Sequence, residues 1–152
     1  MIVHFICRGN AFRSIIAEAY LNSLGVADVT VLSSGTVADA HRARNLPHYE
    51  QTLALLARHG LRDFAKPGYG DQLTQQRLAH ADIPVCMNQR VYDDGRQLVT
   101  FPASVRIWSV ADVGEPGRVS ADSSEHDRFR AEALAEIVRH VDQLVADLPT
   151  RR

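Results

Sequence analysis

Two residues near the start of the chain are spaced for joint chemistry. Cys7 offers a nucleophilic sulfur, and Arg13 offers a guanidinium that can hold two oxygens of a tetrahedral anion at once. They stand in Ile2-Val3-His4-Phe5-Ile6-Cys7-Arg8-Gly9-Asn10-Ala11-Phe12-Arg13-Ser14, which reads as a buried strand, a turn and the first residues of a helix. The turn holds Gly9 and Asn10, the two residue types that best tolerate a left-handed backbone. A loop curled in this way aims backbone N–H groups at one spot. The following helix adds its unpaired N–H groups and the positive end of its dipole. Together they form an anion site, and the same field favours an ionised thiol at Cys7. Arg8, Gly9, Asn10, Ala11, Phe12 and Arg13 are therefore the expected phosphate-binding segment. The Arg8 side chain reads either as a cation at the mouth, where it adds positive potential, or as a plain solvated charge. A cation at a helix N-terminus is otherwise poorly placed, which favours Arg13 as an anion clamp.

These residues need a scaffold that brings a strand end and a helix start together. Ile2 to Ile6 is apolar except for His4, as in a central parallel strand covered on both faces. From Arg13 the apolar period becomes helical through Ile15, Ile16, Ala19, Tyr20 and Leu24, and Gly25 stops it. Asp28 to Leu32 is a second strand, followed by the loop Ser33-Ser34-Gly35-Thr36. Val37 to Leu46 is polar and reads as loop. Pro47 opens a helix that ends at Gly60, with Leu53, Leu56 and Ala57 on its inner face. Asp63 to Asp71 is a loop, and Thr74 caps a short helix to about His80. Ile83 to Met87 is a third strand, Gln89 to Arg96 a short helix, and Val105 to Val110 a fourth strand. Ala111 to Ala121 is loop. Ser124 and Asp127 make a capping-box-like start to the last helix, whose buried face runs from Phe129 to Leu148.

Alternating strands and helices predict an α/β fold: one three-layer domain over residues 1–148, with a four-stranded parallel sheet of order 2-1-3-4 and helices on both faces. Residues 149–152 read as a frayed tail. That strand order puts a switch point beside strand 1, where ligands bind past the carboxyl ends of the strands. Cys7 falls at that edge.

The spacing Cys7-x5-Arg13-Ser14, set strand-to-helix, resembles the signature of the low-molecular-weight protein tyrosine phosphatases. Val31-Leu32-Ser33-Ser34-Gly35-Thr36 is similar to the Ser-Ala-Gly-Thr segment after that family's second strand, and Asp82 to Asn88 is similar to its third strand. The resemblance implies Cys7 as nucleophile, Ser14 as a hydroxyl donor to its sulfur, and Asn10 and Ser33 as supports of the loop. It implies an acid in the loop after strand 4, here Asp112, with Glu115 and Asp122 as substitutes. The chain departs from the family at several positions. Phe12 stands where many members have a second cysteine, Ile15 replaces a usual proline, and no proline follows Asp112. Asn88 replaces an Asp and reads as structural; Cys86 and His4 read as core.

The expected activity is metal-independent hydrolysis of a phosphomonoester, typically phosphotyrosine in protein, through a phosphocysteine intermediate and with no cofactor. The expected partner is a phosphorylated protein or a small phosphate ester. Two other readings remain: a phosphate- or phosphopeptide-binding module with little turnover, and a thiol-dependent arsenate reductase. The latter chemistry needs further cysteines, and Cys86 is the only other one. Tyr49, Phe64, Tyr69 and Trp108 are candidates for aromatic walls around the mouth.

Bulk properties fit this picture. The net charge of −1 implies no general attraction to nucleic acid or an anionic membrane. No apolar run reaches membrane-spanning length, and no basic leader precedes the first strand, so the expected location is cytoplasmic. Two cysteines make no disulfide framework, and the seven histidines are scattered rather than set at metal-ligand spacing.

Overall fold

A computed structural model describes residues 1–112 and 123–149, with residues 123–125 described by their backbone alone. Four strands, β1 (Ile2–Cys7), β2 (Thr30–Gly35), β3 (Ile83–Cys86) and β4 (Arg106–Ile107), form a parallel sheet of order β2-β1-β3-β4. The helices are α1 (Arg13–Ser23), α2 (Ala38–Ala43), α3 (His48–Arg58), α4 (Gln75–Leu78), α5 (Gln89–Gly95) and α6 (Ser123–Asp147), with one 3-10 turn at Arg62–Phe64. Strand β1 carries the fold because its alternate residues face different cores. Val3, Phe5 and Cys7 join the cluster under α1, α3 and α6, whereas Ile6 joins the cluster under α4 and α5. Val85 and Met87 repeat the first pattern in β3 and Cys86 the second.

The expected sheet order and layers are present, with local corrections. Val37 to Leu46 is not loop throughout, since it contains α2. Strand β2 starts later and runs through Gly35, because Cys7 pairs with Gly35 at the end of the register. Strand β4 pairs over two residues only, although Trp108 and Val110 still donate backbone hydrogen bonds to Cys86 and Met87. On α1 the inner position is Leu21, 1% exposed, and Leu24 is turned outward. On α3, Thr52, Leu55 and Leu56 are buried and Ala57 is exposed. Asn88 caps α5 by accepting from the Val91 N–H, the structural role expected of it. The expected Ser124 cap, Glu115, Asp122 and residues 150–152 of the expected tail lie outside the described residues. No helix among the described residues is long and apolar enough to cross a membrane.

His4 is fully enclosed on β1, and its Nε2 shares a 2.7 Å hydrogen bond with Ser34 Oγ. Burial, aided by the charges of Lys66 and Arg77, lowers its pKa from 6.5 to about 4. Between these values the unfolded chain binds a proton that the folded chain does not. Stability from this residue is thus complete above pH 6.5 and is lost as pH falls toward 4. Denaturant melts should lose about 3 kcal/mol from His4 over that window, and a His4→Gln variant should lose correspondingly less. An equal acid loss in both proteins would contradict this.

Candidate active site

The segment after β1 turns sharply at Asn10, whose φ of 51° is left-handed. The scaffold holds the loop by its carbonyls. Cys7 O accepts from the Thr36 N–H, Arg8 O from Val37, Asn10 O from Gly70 and Phe12 O from Ile16, while Ala11 O accepts from Thr52 Oγ1 at 2.6 Å. No peptide bond among the described residues is cis, so each N–H in the loop points opposite the carbonyl of the preceding residue. The amides of Arg8, Gly9, Ala11, Phe12 and Arg13 therefore point away from the scaffold. From Arg8 to Phe12 these amides donate to no acceptor among the described residues. The residues that bear them, together with Cys7, line one open cavity of about 380 Å³. Helix α1 begins here with no side-chain cap and no acid in its first turn. The cradle expected from the sequence thus has its backbone donors on one side, at a helix start.

Gly35 makes this loop possible. A side-chain carbon there would press on the Arg8 carbonyl and fall 2.8 Å from the Asn10 nitrogen. At Gly9, an added carbon would meet the His41 ring at 2.9 Å, so that ring lies directly on the loop.

Asn10 organises the side chains beneath. Its Oδ1 accepts from Lys66 Nζ at 2.7 Å and from the Asp71 N–H at 3.0 Å, which fixes the amide's orientation. Its Nδ2 then donates to Ser14 Oγ at 2.8 Å and to Ser33 Oγ at 3.0 Å. Each serine hydroxyl has its own proton left to give. Ser33 donates to the buried Glu18 carboxylate, and Ser14 Oγ lies 3.0 Å from Cys7 Sγ, placed to donate to the sulfur. Burial pushes the Glu18 carboxyl up, against the Ser33 hydrogen bond and the Lys66 charge. Lys66 uses all three donors, on Asn10 Oδ1, Asp71 Oδ2 at 2.8 Å and Ser33 O at 3.2 Å.

Arg13 is 1% exposed. Its Nη1 donates to Val110 O at 2.8 Å, and its Nη2 lies 3.4 Å from Asp112 Oδ2 without hydrogen-bond geometry to any described residue. Asp112 is thereby brought to the cavity beside Cys7, as expected from its position after the last strand. Arg8 lines the mouth. The sequence therefore located Cys7, Arg8, Asn10, Arg13, Ser14, Ser33 and Asp112 in one place. It missed Lys66, Glu18, Asp71 and Thr52. Lys66 carried one signal: it is the single lysine in a chain with 17 basic Lys and Arg residues.

None of the four candidate wall aromatics lines the cavity. Tyr49 and Tyr69 stack on each other at 4.6 Å, Trp108 lies between Phe5 and His140, and neither these nor Phe64 lines the cavity. The mouth instead presents Val37, Ala40, Leu46, Phe12, the His41–His48 pair and the arginines 8, 44 and 130. Cys86 is fully buried in β3, in the core cluster that does not hold Cys7, and burial pushes its thiol up to about 12.

Several solved structures share this fold. The low molecular weight protein tyrosine phosphatase of T. tengcongensis matches at 20% identity and a TM-score of 0.75, over 97% of this chain and 99% of that one. Vibrio vulnificus Wzb, solved with benzylphosphonate, matches at 18% identity and a TM-score of 0.74, over 97% and 98%. The drosophila arginine phosphatase matches at 20% identity and a TM-score of 0.69, over 100% of both. Among curated proteins none matches the sequence. The model of the low molecular weight phosphotyrosine protein phosphatases matches residues 2–151, nearly the whole chain, and the protein belongs to that family of hydrolases.

Proposed function

We propose that the protein is a cysteine-dependent phosphomonoesterase that works through a phosphocysteine at Cys7. The observation that carries this reading is the loop whose carbonyls are all held outward except that of Gly9, leaving its amides unpaired around Cys7. The three non-bridging oxygens of a phosphoryl group accept from these amides and from Arg13, which offset the charge of the dianion. The Cys7 thiolate attacks phosphorus in line with the ester oxygen. The S–P bond forms and the P–O bond breaks. Asp112, in its acid form, gives its proton to the departing oxygen. The resulting carboxylate then takes a proton from the water that attacks the phosphocysteine, and the S–P bond breaks to release inorganic phosphate. The Ser14 hydroxyl, directed at the sulfur by Asn10, stabilises the thiolate as it leaves. An arsenate reductase would need a second thiol within reach, and the burial of Cys86 argues against one.

Turnover of p-nitrophenyl phosphate in the presence of EDTA tests this, with Cys7→Ser as control. Turnover by the parent protein and none by the variant is expected. Phosphate binding without turnover would select a binding module instead, and thiol-dependent release of arsenite would select the reductase.

Asp112 makes a sharper prediction. A p-nitrophenolate leaves with little help, whereas an alkyl oxide needs its proton. Asp112→Ala should therefore lower kcat/KM, which reports the steps through P–O cleavage, on phenyl or alkyl phosphates by about a hundredfold or more, and on p-nitrophenyl phosphate by much less. Equal losses on both would move the acid elsewhere.

A further inference from the structure

Among the described residues, the mouth of the cavity carries more positive charge than a single phosphoryl group uses. The chain as a whole has a net charge of −1, so this is a local concentration. The cations at the mouth are not equivalent. Arg130 is already engaged, donating to Gln51 Oε1 at 2.8 Å and pairing with Asp127 at 3.3 Å. Arg13, held by Val110 O and beside Asp112, is taken by the scissile phosphoryl group. Arg8 and Arg44 have no carboxylate partner and no side-chain hydrogen bond among the described residues, and Arg8 Nε is buried without an acceptor. His41 lines the same cavity. Its ring rests on Gly9, its Nε2 shares a 3.1 Å hydrogen bond with His48 Nδ1, and its buried Nδ1 has no partner among the described residues. Burial keeps this imidazole toward its neutral form; the Asp112 carboxylate acts on it in the opposite sense, ahead of the charges of Arg44 and Arg8.

A buried donor without an acceptor costs free energy, and unpaired guanidinium groups beside it add repulsion. An arrangement of this kind gains when an anion bridges the donors. The phosphoryl group held by the loop does not require Arg44. We infer that the substrate carries a second anionic group, a carboxylate or a phosphate, beside the scissile phosphoryl group, and that Arg8, Arg44 and His41 receive it at the mouth. This rests on the phosphomonoesterase reading and adds the substrate's charge class to it. The same charges disfavour a cationic leaving group such as a guanidinium, so phosphoarginine is a poor substrate on this account.

The test compares matched esters that differ in one charge. The first pair is p-carboxyphenyl phosphate and its carboxamide. The second is a phosphotyrosyl peptide flanked by Glu and the same peptide flanked by Gln. At low salt kcat/KM should be about tenfold higher for the acidic member of at least one pair, and high salt should shrink that ratio. Preference within the small pair alone points to a small ester, and preference within the peptide pair alone to an acidic phosphoprotein. Arg44→Gln should bring the acidic-to-neutral ratio close to one. Arg44 is exposed at the end of α2, so this variant keeps the fold. Ratios of one or below in the parent protein, with all esters turned over, would overturn this inference and leave the phosphatase reading standing. So would a phosphoarginine peptide cleaved faster than the phosphotyrosyl one. Turnover of none of the esters would overturn the phosphatase reading itself.

Discussion

Arg13→Lys should lower kcat/KM on any phosphomonoester by about a thousandfold, the scale seen when one preorganised donor to a developing oxyanion is removed. The guanidinium is buried and planar. One nitrogen is held by Val110 O, and the other, without a hydrogen-bond partner among the described residues, lies on the Asp112 side. A lysine keeps the charge but loses the fork. It cannot hold the Val110 carbonyl and two phosphoryl oxygens in one plane. Asp112 also loses its partner, so the acid is displaced along with the clamp. The effect should fall on kcat more than on KM, because the planar fork matches the flattened arrangement that the equatorial oxygens reach only in the transition state. A drop below tenfold in steady-state kinetics would mean that the loop amides carry the charge alone.

Gly35→Ala should lower activity by about a hundredfold although Gly35 is no part of the cavity lining. The added methyl group would press on the backbone of Arg8 and Asn10. Backbone cannot rotate aside as a side chain can, so the loop must shift. Its carbonyl contacts to Thr36 and Val37 follow directly after Gly35, so they are the first to be lost. Overpacking of this kind costs roughly 1–3 kcal/mol, which the fold survives, whereas a shift of about 1 Å in the cradle costs about a hundredfold in rate. Melting curves and kinetics on the same sample separate the two effects. A folded Gly35→Ala protein with full activity would show that the loop does not depend on this close approach.

The parts of the site that were legible in the sequence are contiguous. Cys7 to Ser14 lies on one strand, turn and helix, so spacing alone fixes its geometry. Asp112 was legible because parallel strands bring all their carboxyl ends to one edge. The network beneath was not, because Lys66, Asp71 and Glu18 meet Asn10 and Ser33 across distances in sequence that no local pattern encodes. Helix α2 was missed for a different reason. Six residues span less than two turns, its N-cap Val37 makes no side-chain cap, and its one buried residue is Ala38, so it shows no apolar period. Its His41 nevertheless forms part of the mouth. Strand β4 was read too long because Val105, Ile107, Trp108 and Val110 have strand-like composition, while the chain keeps ladder pairing only at Arg106 and Ile107. The aromatic residues near the mouth misled for the converse reason. Tyr49 and Tyr69 find each other, and composition cannot show that they do.

The central claim is that phosphate passes through the sulfur of Cys7. Rapid acid quench of the protein with a radiolabelled aryl phosphate tests it most directly. A burst of phenol is expected, with label bound as phosphocysteine in the peptide that contains Cys7. Label on another residue, or turnover with no bound label and no burst when phosphoenzyme breakdown is slowed, would contradict it.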